Sequence, residues 1–366
     1  MRAIAGIELA ELARELNTML GGFYIDNVYE VAHDTLRLRL ERGGSRLSLR
    51  CALPHCINIT EYAERPTPAT QFAMAARKRL RGARIMRIWQ SGTDRVLVFG
   101  LERGVERLHA LAELYGKGNF MIADVNMRVV LAYRDNAALR GSIMPIHDAG
   151  MKPHAHAAPS LETLTAACAG SEPSAQLVKA IARSTWIGTP YVEEAMLRSG
   201  IGISARISES DASLLMRISG EIAGIINAVK SPLEYLRDGK ALDYAIIRLT
   251  KYEGLECKGR ETLSQAIDDV YAASAPAAAA KNGDSAEAQR LIHSLERQRA
   301  IMSAAGEGIE RARAAASFIF ANLGAVNKAI EIARERKHAT AEEIARGSGL
   351  NVVEVSRKDH CLIVEV

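Results

Sequence analysis

The sequence predicts an α+β fold, followed by a helix-rich module and then one long coiled-coil helix. Three observations predict it. An amphipathic helix heads a series of short apolar runs separated by turn residues. A second helix with further hairpins follows. The last third exchanges the strand pattern for a heptad. With 366 residues the chain is long enough for several cores.

Ile7 to Leu20 places Leu9, Leu12, Leu16 and Leu20 on one helical face, and Gly21-Gly22 stops it. Four strand-like runs come next: Phe23–Val31, Thr35–Leu40, Leu47–Leu53 and Ile57–Tyr62, with turn signals at His33-Asp34, Gly43-Gly44 and Pro54. Thr67, Pro68 and Thr70 suit a helix start. Phe72, Ala76 and Leu80 give that helix an inward face, and Gly82 ends it. A hairpin is expected from Ile85–Trp89 and Val96–Phe99 through Ser91-Gly92-Thr93, and another from Leu108–Leu114 and Phe120–Ala123 turning on Gly116-Lys117-Gly118-Asn119. Residues 1–160 thus read as the first domain.

Residues 136–172 read as a loop rich in Ala, Pro and Gly. His147, His154 and His156 fall here without an acidic or Cys partner at metal-ligand spacing, so they read as surface histidines. A second domain, 170–273, opens with Ser174–Arg183, Thr185-Trp186-Ile187-Gly188-Thr189 and Pro190–Arg198. These are helix, glycine-bearing hairpin and helix, with Pro190 at a first helical position. Such a pair serves either packing or anion binding at the helix start. Asp211–Val229 gives a third helix, Leu242–Tyr252 a short strand region and Leu263–Tyr271 a helix. Ser274 to Asp284 is a linker by composition.

From 285 to 338 the pattern is a heptad. Its a and d positions run from Ala288 to Ala333, and thirteen of the fourteen are apolar, the exception being Gln298. A seam of 46 residues predicts a coiled-coil helix roughly 70 Å long. Gly306, Gly308 and Gly324 within it favour bending. Residues 339–366 start a further segment, a short helix and the strands Val352–Val355 and Cys361–Val366. No second heptad run matches the first, so the chain reads as an N-terminal portion of a longer protein, with homodimer formation through the seam as one way to cover it.

Composition excludes several classes. No run of 18 apolar residues occurs, so no membrane span is expected. Glu8, Glu11 and Glu15 interrupt the N-terminal apolar stretch, unlike a secretory leader. Five cysteines without a C-x-x-C pair read as free thiols of a reducing cytoplasm, with no zinc and no disulfide. The GKGN turn lacks the G-x-x-x-x-G-K-[ST] frame, so neither nucleotide hydrolysis nor a cofactor is expected.

Charge is uneven. Arg77, Lys78, Arg79, Arg81, Arg84, Arg87 and Arg95 stand against Asp94, a local net of +6 in a chain of formal net charge +4. A basic patch on an otherwise net-acidic chain fits phosphate contacts, or else a solvated helix face. Asp94-Arg95, taken as the start of the second hairpin strand, would point to opposite faces, one bracing the hairpin and one facing a partner. A structural ion pair is the alternative.

Phe72, Met74, Arg77, Lys78, Leu80, Gln90, Gly92, Asp94 and Arg95 together resemble a motif of the NFACT family. Glu113, Leu114, Gly116, Gly118, Asn119 and Asp124 match a second family pattern in order, and the similarity runs through the chain. The resemblance implies a first domain like that of formamidopyrimidine-DNA glycosylases, then a helix-hairpin-helix domain carrying Gly188, Thr189, Tyr191, Glu193 and Glu194. It implies a non-enzymatic factor of ribosome-associated quality control. Such a factor binds obstructed large ribosomal subunits carrying peptidyl-tRNA, recruits tRNA and supports template-free, alanine-type tailing of the stalled peptide. Asp94 and Arg95 would engage tRNA, with Glu8 standing where the family usually has Asp. The hairpin would add an RNA contact. Those glycosylases use an N-terminal proline as nucleophile, whereas this chain has Arg2, which argues against that chemistry. The family's fibronectin- or fibrinogen-binding label gives the alternative, a surface adhesin.

Overall fold

The computed structural model describes residues 1–62, 68–146, 157–274, 313–336, 338–356 and 361–365. It divides the chain into two compact units, Met1–Gly283 and Asp284–Val366.

The first unit begins with α1 (Gly6–Leu20). Its leucine face is buried: Leu9, Leu12, Leu16 and Leu20 have no exposed surface, each worth about 1.5–3 kcal/mol against exposure. Among the described residues, nine strands follow in one antiparallel sheet: β1 (Tyr24–Ala32), β2 (Thr35–Arg42), β3 (Ser45–Ala52), β4 (Cys56–Ile59), β5 (Arg84–Gln90), β6 (Val96–Arg103), β7 (Glu106–Glu113), β8 (Asn119–Asp124) and β9 (Val129–Ala132). Their order is β4-β3-β2-β1-β5-β6-β7-β8-β9, so two meanders meet where β1 pairs with β5. That junction is short, Tyr24 opposite Arg84, and is extended by backbone bonds between residues 22–25 and 82–85.

β6 and β8 are apolar on both faces because both faces are covered. Leu97, Phe99, Phe120 and Ile122 join the main core. Val96, Val98, Leu111 and Met121 form a second cluster with Trp89, Leu139 and Met144. Between the meanders lies α2 (Gln71–Leu80), started by Thr70, whose hydroxyl accepts from the Ala73 amide at 3.2 Å. After β9 come α3 (Asn136–Leu139) and α4 (Leu161–Ala169). The latter replaces part of the loop expected over 136–172, because Leu164 and Cys168 pack into the core.

α5 (Leu177–Ser184), α6 (Thr189–Arg198) and α7 (Ala212–Asn227) form the helical module. A three-stranded sheet of β10 (Leu233–Arg237), β11 (Lys240–Ala245) and β12 (Glu256–Gly259), ordered β11-β10-β12, stands where one short strand region was expected. α8 (Leu263–Ser274) then returns to the first sheet. Arg50, 1% exposed, donates to Asp268 at 2.6 Å and to Thr60 at 2.6 Å and lies 4.0 Å from the Tyr271 ring centroid. Asn58 donates to the same Asp268 carboxylate at 3.0 Å. One apolar core runs from Ile4 to Val270.

In the second unit, residues 313–321 are helical. α9 (Leu323–Glu335) and α10 (Ala341–Ser348) pack with the hairpin β13 (Val352–Ser356) and β14 (Cys361–Val364). Most of the predicted heptad, including Gly306 and Gly308, lies outside the described residues, as do His147, His154 and His156. Within the described part, α9 buries Ala329 and packs Ala325 and Ile332 inward. Of the seam residues, Val326 and Ala333 pack against the C-terminal cluster, whereas Ile319, Leu323 and Ile330 stay exposed, so the seam is covered only in part.

Candidate nucleic-acid interface

An open cleft of about 860 Å³ is walled by three segments distant in sequence: residues 2–6, the loop 93–95 and the hairpin 185–190. Tyr115, Glu193 and Lys251 complete it.

Asp94 and Arg95 sit together at this cleft. They lie in the loop joining β5 to β6 and not in the strand, since β6 starts at Val96. The expectation of opposite faces therefore fails; a loop has no strand alternation to separate them. The loop is pinned by its backbone. Asp94 N donates to Ser91 O at 3.0 Å, Gln90 Nε2 donates to Asp94 O at 2.9 Å, and Leu114 N donates to Arg95 O at 2.7 Å. The Asp94 carboxylate is exposed, and Arg95 is half-buried with one bond, Nη1 to the Ile4 carbonyl at 3.3 Å. Neither side chain has an ion-pair partner among the described residues. Burial lowers the Arg95 pKa from its ordinary value.

Glu8 is placed differently from the expectation. It has no exposed surface, and its carboxylate does not line the cleft. Instead it accepts from both Arg2 terminal nitrogens, at 2.5 and 2.8 Å, from Ala5 N at 2.8 Å and from the Tyr191 hydroxyl at 2.8 Å. Arg2 Nε donates to Asp243 at 2.8 Å, and Tyr252 donates to that carboxylate at 2.6 Å. Burial works against the Arg2 charge, but Glu8 and Asp243 outweigh it and hold the guanidinium above its ordinary pKa. This network lies beneath the cleft and joins α1, α6 and β11.

Gly188 closes the third wall by contact with the first. Its φ is +92°, and a Cβ there would lie 2.6 Å from Ala5 Cβ. On the other side, a Cβ with ordinary stereochemistry on Gly6 would lie 2.0 Å from the Trp186 carbonyl oxygen. The two backbones therefore touch, and the hairpin glycine is explained by packing against residues 5–6. Thr189 remains exposed on the cleft. The rest of the motif is structural too. Glu193 pairs with Lys251 at 2.9 Å, and buried Glu194 accepts from Thr250 N at 2.6 Å and Arg198 at 2.7 Å.

The basic patch is elsewhere. Arg84 opens β5 and Gln90 closes it, so the seven-residue strand β5 lies between the C-terminal end of α2 and the 93–95 loop, roughly 20 Å of strand. None of Arg77, Lys78, Arg79, Arg81, Arg84 and Arg87 lines the cleft. Lys78, Arg81, Arg84 and Arg87 are exposed; Arg77 is half-buried, donating to Val28 O at 2.6 Å beside the Tyr29 ring.

Arg2, Tyr115 and Lys251 are cleft residues that sequence reasoning did not assign to a binding site, while Trp186 lies in the hairpin it singled out. Tyr115 stood inside a quoted motif, between Leu114 and Gly116, and Arg2 was noted only as standing where the glycosylases have proline; Lys251 carried no signal. Tyr115 is 44% exposed, and burial together with Glu113 raises its pKa to about 12, so it is a neutral phenol at pH 7. Chemically, the cleft carries both signs, Asp94 and Glu193 against Arg95 and Lys251. A carboxylate that accepts beside a guanidinium that donates suits a base edge, with an aromatic ring for stacking. The α2 end, all cation, suits phosphates. Among the described residues no group of three His, Cys, Asp or Glu side chains could hold a metal, and no helix is long and apolar enough to cross a membrane.

A family described as NFACT N-terminal and middle domains matches residues 5–329. The archaeal Rqc2 homolog aRqcH of Methanocaldococcus jannaschii is 27% identical over 353 residues, covering 91% of this chain and 52% of that protein. Ribosome quality control complex subunit NEMF of Mus musculus is 26% identical over 237 residues, covering 63% of this chain and 22% of that protein. This chain thus spans about half the length of the first and about a fifth of the second. In structure, the fibrinogen binding protein from Staphylococcus aureus aligns with TM-score 0.53 at 17% identity, over 73% of this chain and 98% of that one; this is a likeness of fold.

Proposed function

Because the chain belongs to the NFACT family, we propose that it is a binding factor of ribosome-associated quality control that engages obstructed large ribosomal subunits and recruits tRNA, in the cytoplasm and without bond chemistry of its own. The relatives named for ribosome quality control support the process. One observation carries the RNA reading: Asp94 and Arg95 stand side by side, without ion-pair partners among the described residues, at a cleft with an exposed tyrosine. The cationic end of α2, a strand length away, supplies a second contact on the same RNA. Support for template-free, alanine-type tailing of peptidyl-tRNA follows as the use to which the recruited tRNA is put.

Salt-dependent binding of tRNA tests the RNA reading. Arg95→Ala is expected to weaken binding, and reversing Lys78, Arg81 and Arg84 to Glu should flatten the slope of log K against log salt by about 0.7–0.9 for each lost phosphate contact. Wild-type chain that ignores tRNA at low salt refutes the reading. Co-sedimentation with large subunits from lysate tests the ribosomal part. The adhesin alternative draws on the family's fibronectin- or fibrinogen-binding label, and fibrinogen retention by immobilised chain would be its positive result.

A further inference from the structure

We infer that Arg2 is a positioning residue for Arg95, acting through the backbone of residues 3–5; the inference rests on the RNA reading above and names a residue that reading leaves out.

A guanidinium has five N–H donors in a fixed fork. Arg2 uses all of them. Nε donates to Asp243 at 2.8 Å, Nη1 to Glu8 at 2.8 Å and the Ala3 carbonyl at 3.3 Å, and Nη2 to Glu8 at 2.5 Å and the Tyr244 carbonyl at 2.6 Å. Its Cζ also lies 4.4 Å from the Tyr244 ring centroid. Glu8, held by this fork, accepts from Ala5 N. Residues 3 and 5 are thereby fixed from one side, while Ile4 N donates to the His55 carbonyl at 2.7 Å on the other. What remains is the Ile4 carbonyl, and it accepts from Arg95 Nη1.

The Arg95 side chain thus takes its direction from a segment that Arg2 clamps. The hairpin touches that segment as well, through Ala5 against Gly188 and Gly6 against Trp186. Arg2 itself faces carboxylates and carbonyls, so it has no donor left for RNA. Lysine would keep the charge but offer three donors from one point, and could not span Glu8, Asp243 and Tyr244 together.

The test is a double-mutant cycle on the full chain, with unmodified tRNA as probe. Arg2→Lys is expected to weaken binding about tenfold in the native background, with the salt slope unchanged because no phosphate contact is lost. In the Arg95→Ala background the same change should cost less than about twofold, since its route is already gone. Equal losses in both backgrounds would overturn the inference. If Arg2→Lys does not fold, Asp243→Asn, which weakens the same fork, takes its place in the cycle. A second measurement needs no RNA: the rate at which phenylglyoxal modifies Arg95, followed by peptide mass spectrometry. It should rise in Arg2→Lys, and an unchanged rate overturns the inference. A chain in which that rate rises but tRNA never binds keeps the clamp and sinks the RNA reading instead.

Discussion

Gly188 is a residue whose side chain would have nowhere to go. Its φ of +92° suits glycine, and the space a Cβ needs is held by Ala5. Gly188→Ala is expected to cost about 2–4 kcal/mol from strain and displacement together, read as a lower urea midpoint at unchanged slope. Tyr115 is the opposite case. It is exposed, and its hydroxyl donates to Glu113 at 3.1 Å, the one side-chain bond it makes among the described residues. Tyr115→Ala should leave stability within about 0.5 kcal/mol and still lower tRNA affinity by about 1–3 kcal/mol if a base stacks there. Equal affinities in a titration would remove the stacking role. At this scale the sequence supplied Asp94 and Arg95 as a pair, but not their loop placement. It supplied Glu8 but not its burial, since nothing local says that Arg2, Tyr191 and Asp243 converge on that carboxylate.

At the scale of elements, α8 shows how one ion pair fastens the end of a domain to its beginning. Asp268 accepts from the buried Arg50 and Asn58 and from the Glu61 amide at 3.0 Å at the edge of the core. Asp268→Ala should destabilise by about 3–5 kcal/mol because it takes a carboxylate partner from the buried, charged Arg50. Combining it with Arg50→Met should recover most of that loss; calorimetric melting of the single and double variants decides it. α1, α2, α7 and the hairpins were legible because helical period, strand alternation and turn residues are local signals. β10 and β12 were not. Leu233–Arg237 and Glu256–Gly259 are five and four residues long, too short for alternation to rise above loop composition, and they become strands because each pairs with a neighbour. α4 likewise owes its helix to Leu164 and Cys168 finding the core.

On the scale of the whole molecule, each unit leaves something uncovered. The first unit presents a mixed-charge cleft and a cationic helix end about a strand length apart, a spacing that two contacts on one folded RNA would satisfy. The second presents Ile319, Leu323 and Ile330 along one line, with Phe320 78% exposed beside it. Exposed apolar seams associate. Sedimentation equilibrium of the chain should therefore show reversible self-association, abolished by Leu323→Asp with Ile330→Asp. A strict monomer at tens of micromolar, about 1 mg/mL, would count against helix pairing through this seam.

The sequence by itself determined which segments are helix and which are hairpin over most of the first 130 residues, and which ordered motifs place the chain in its family. These depend on neighbours within a few positions. Only the tertiary structure decided that residues 2–6, 93–95 and 185–190 form one cleft, that Glu8 lies below its floor, and that the basic patch stands apart from it. Those are contacts between groups some 90 and 180 positions apart, and their geometry is set by how the layers pack.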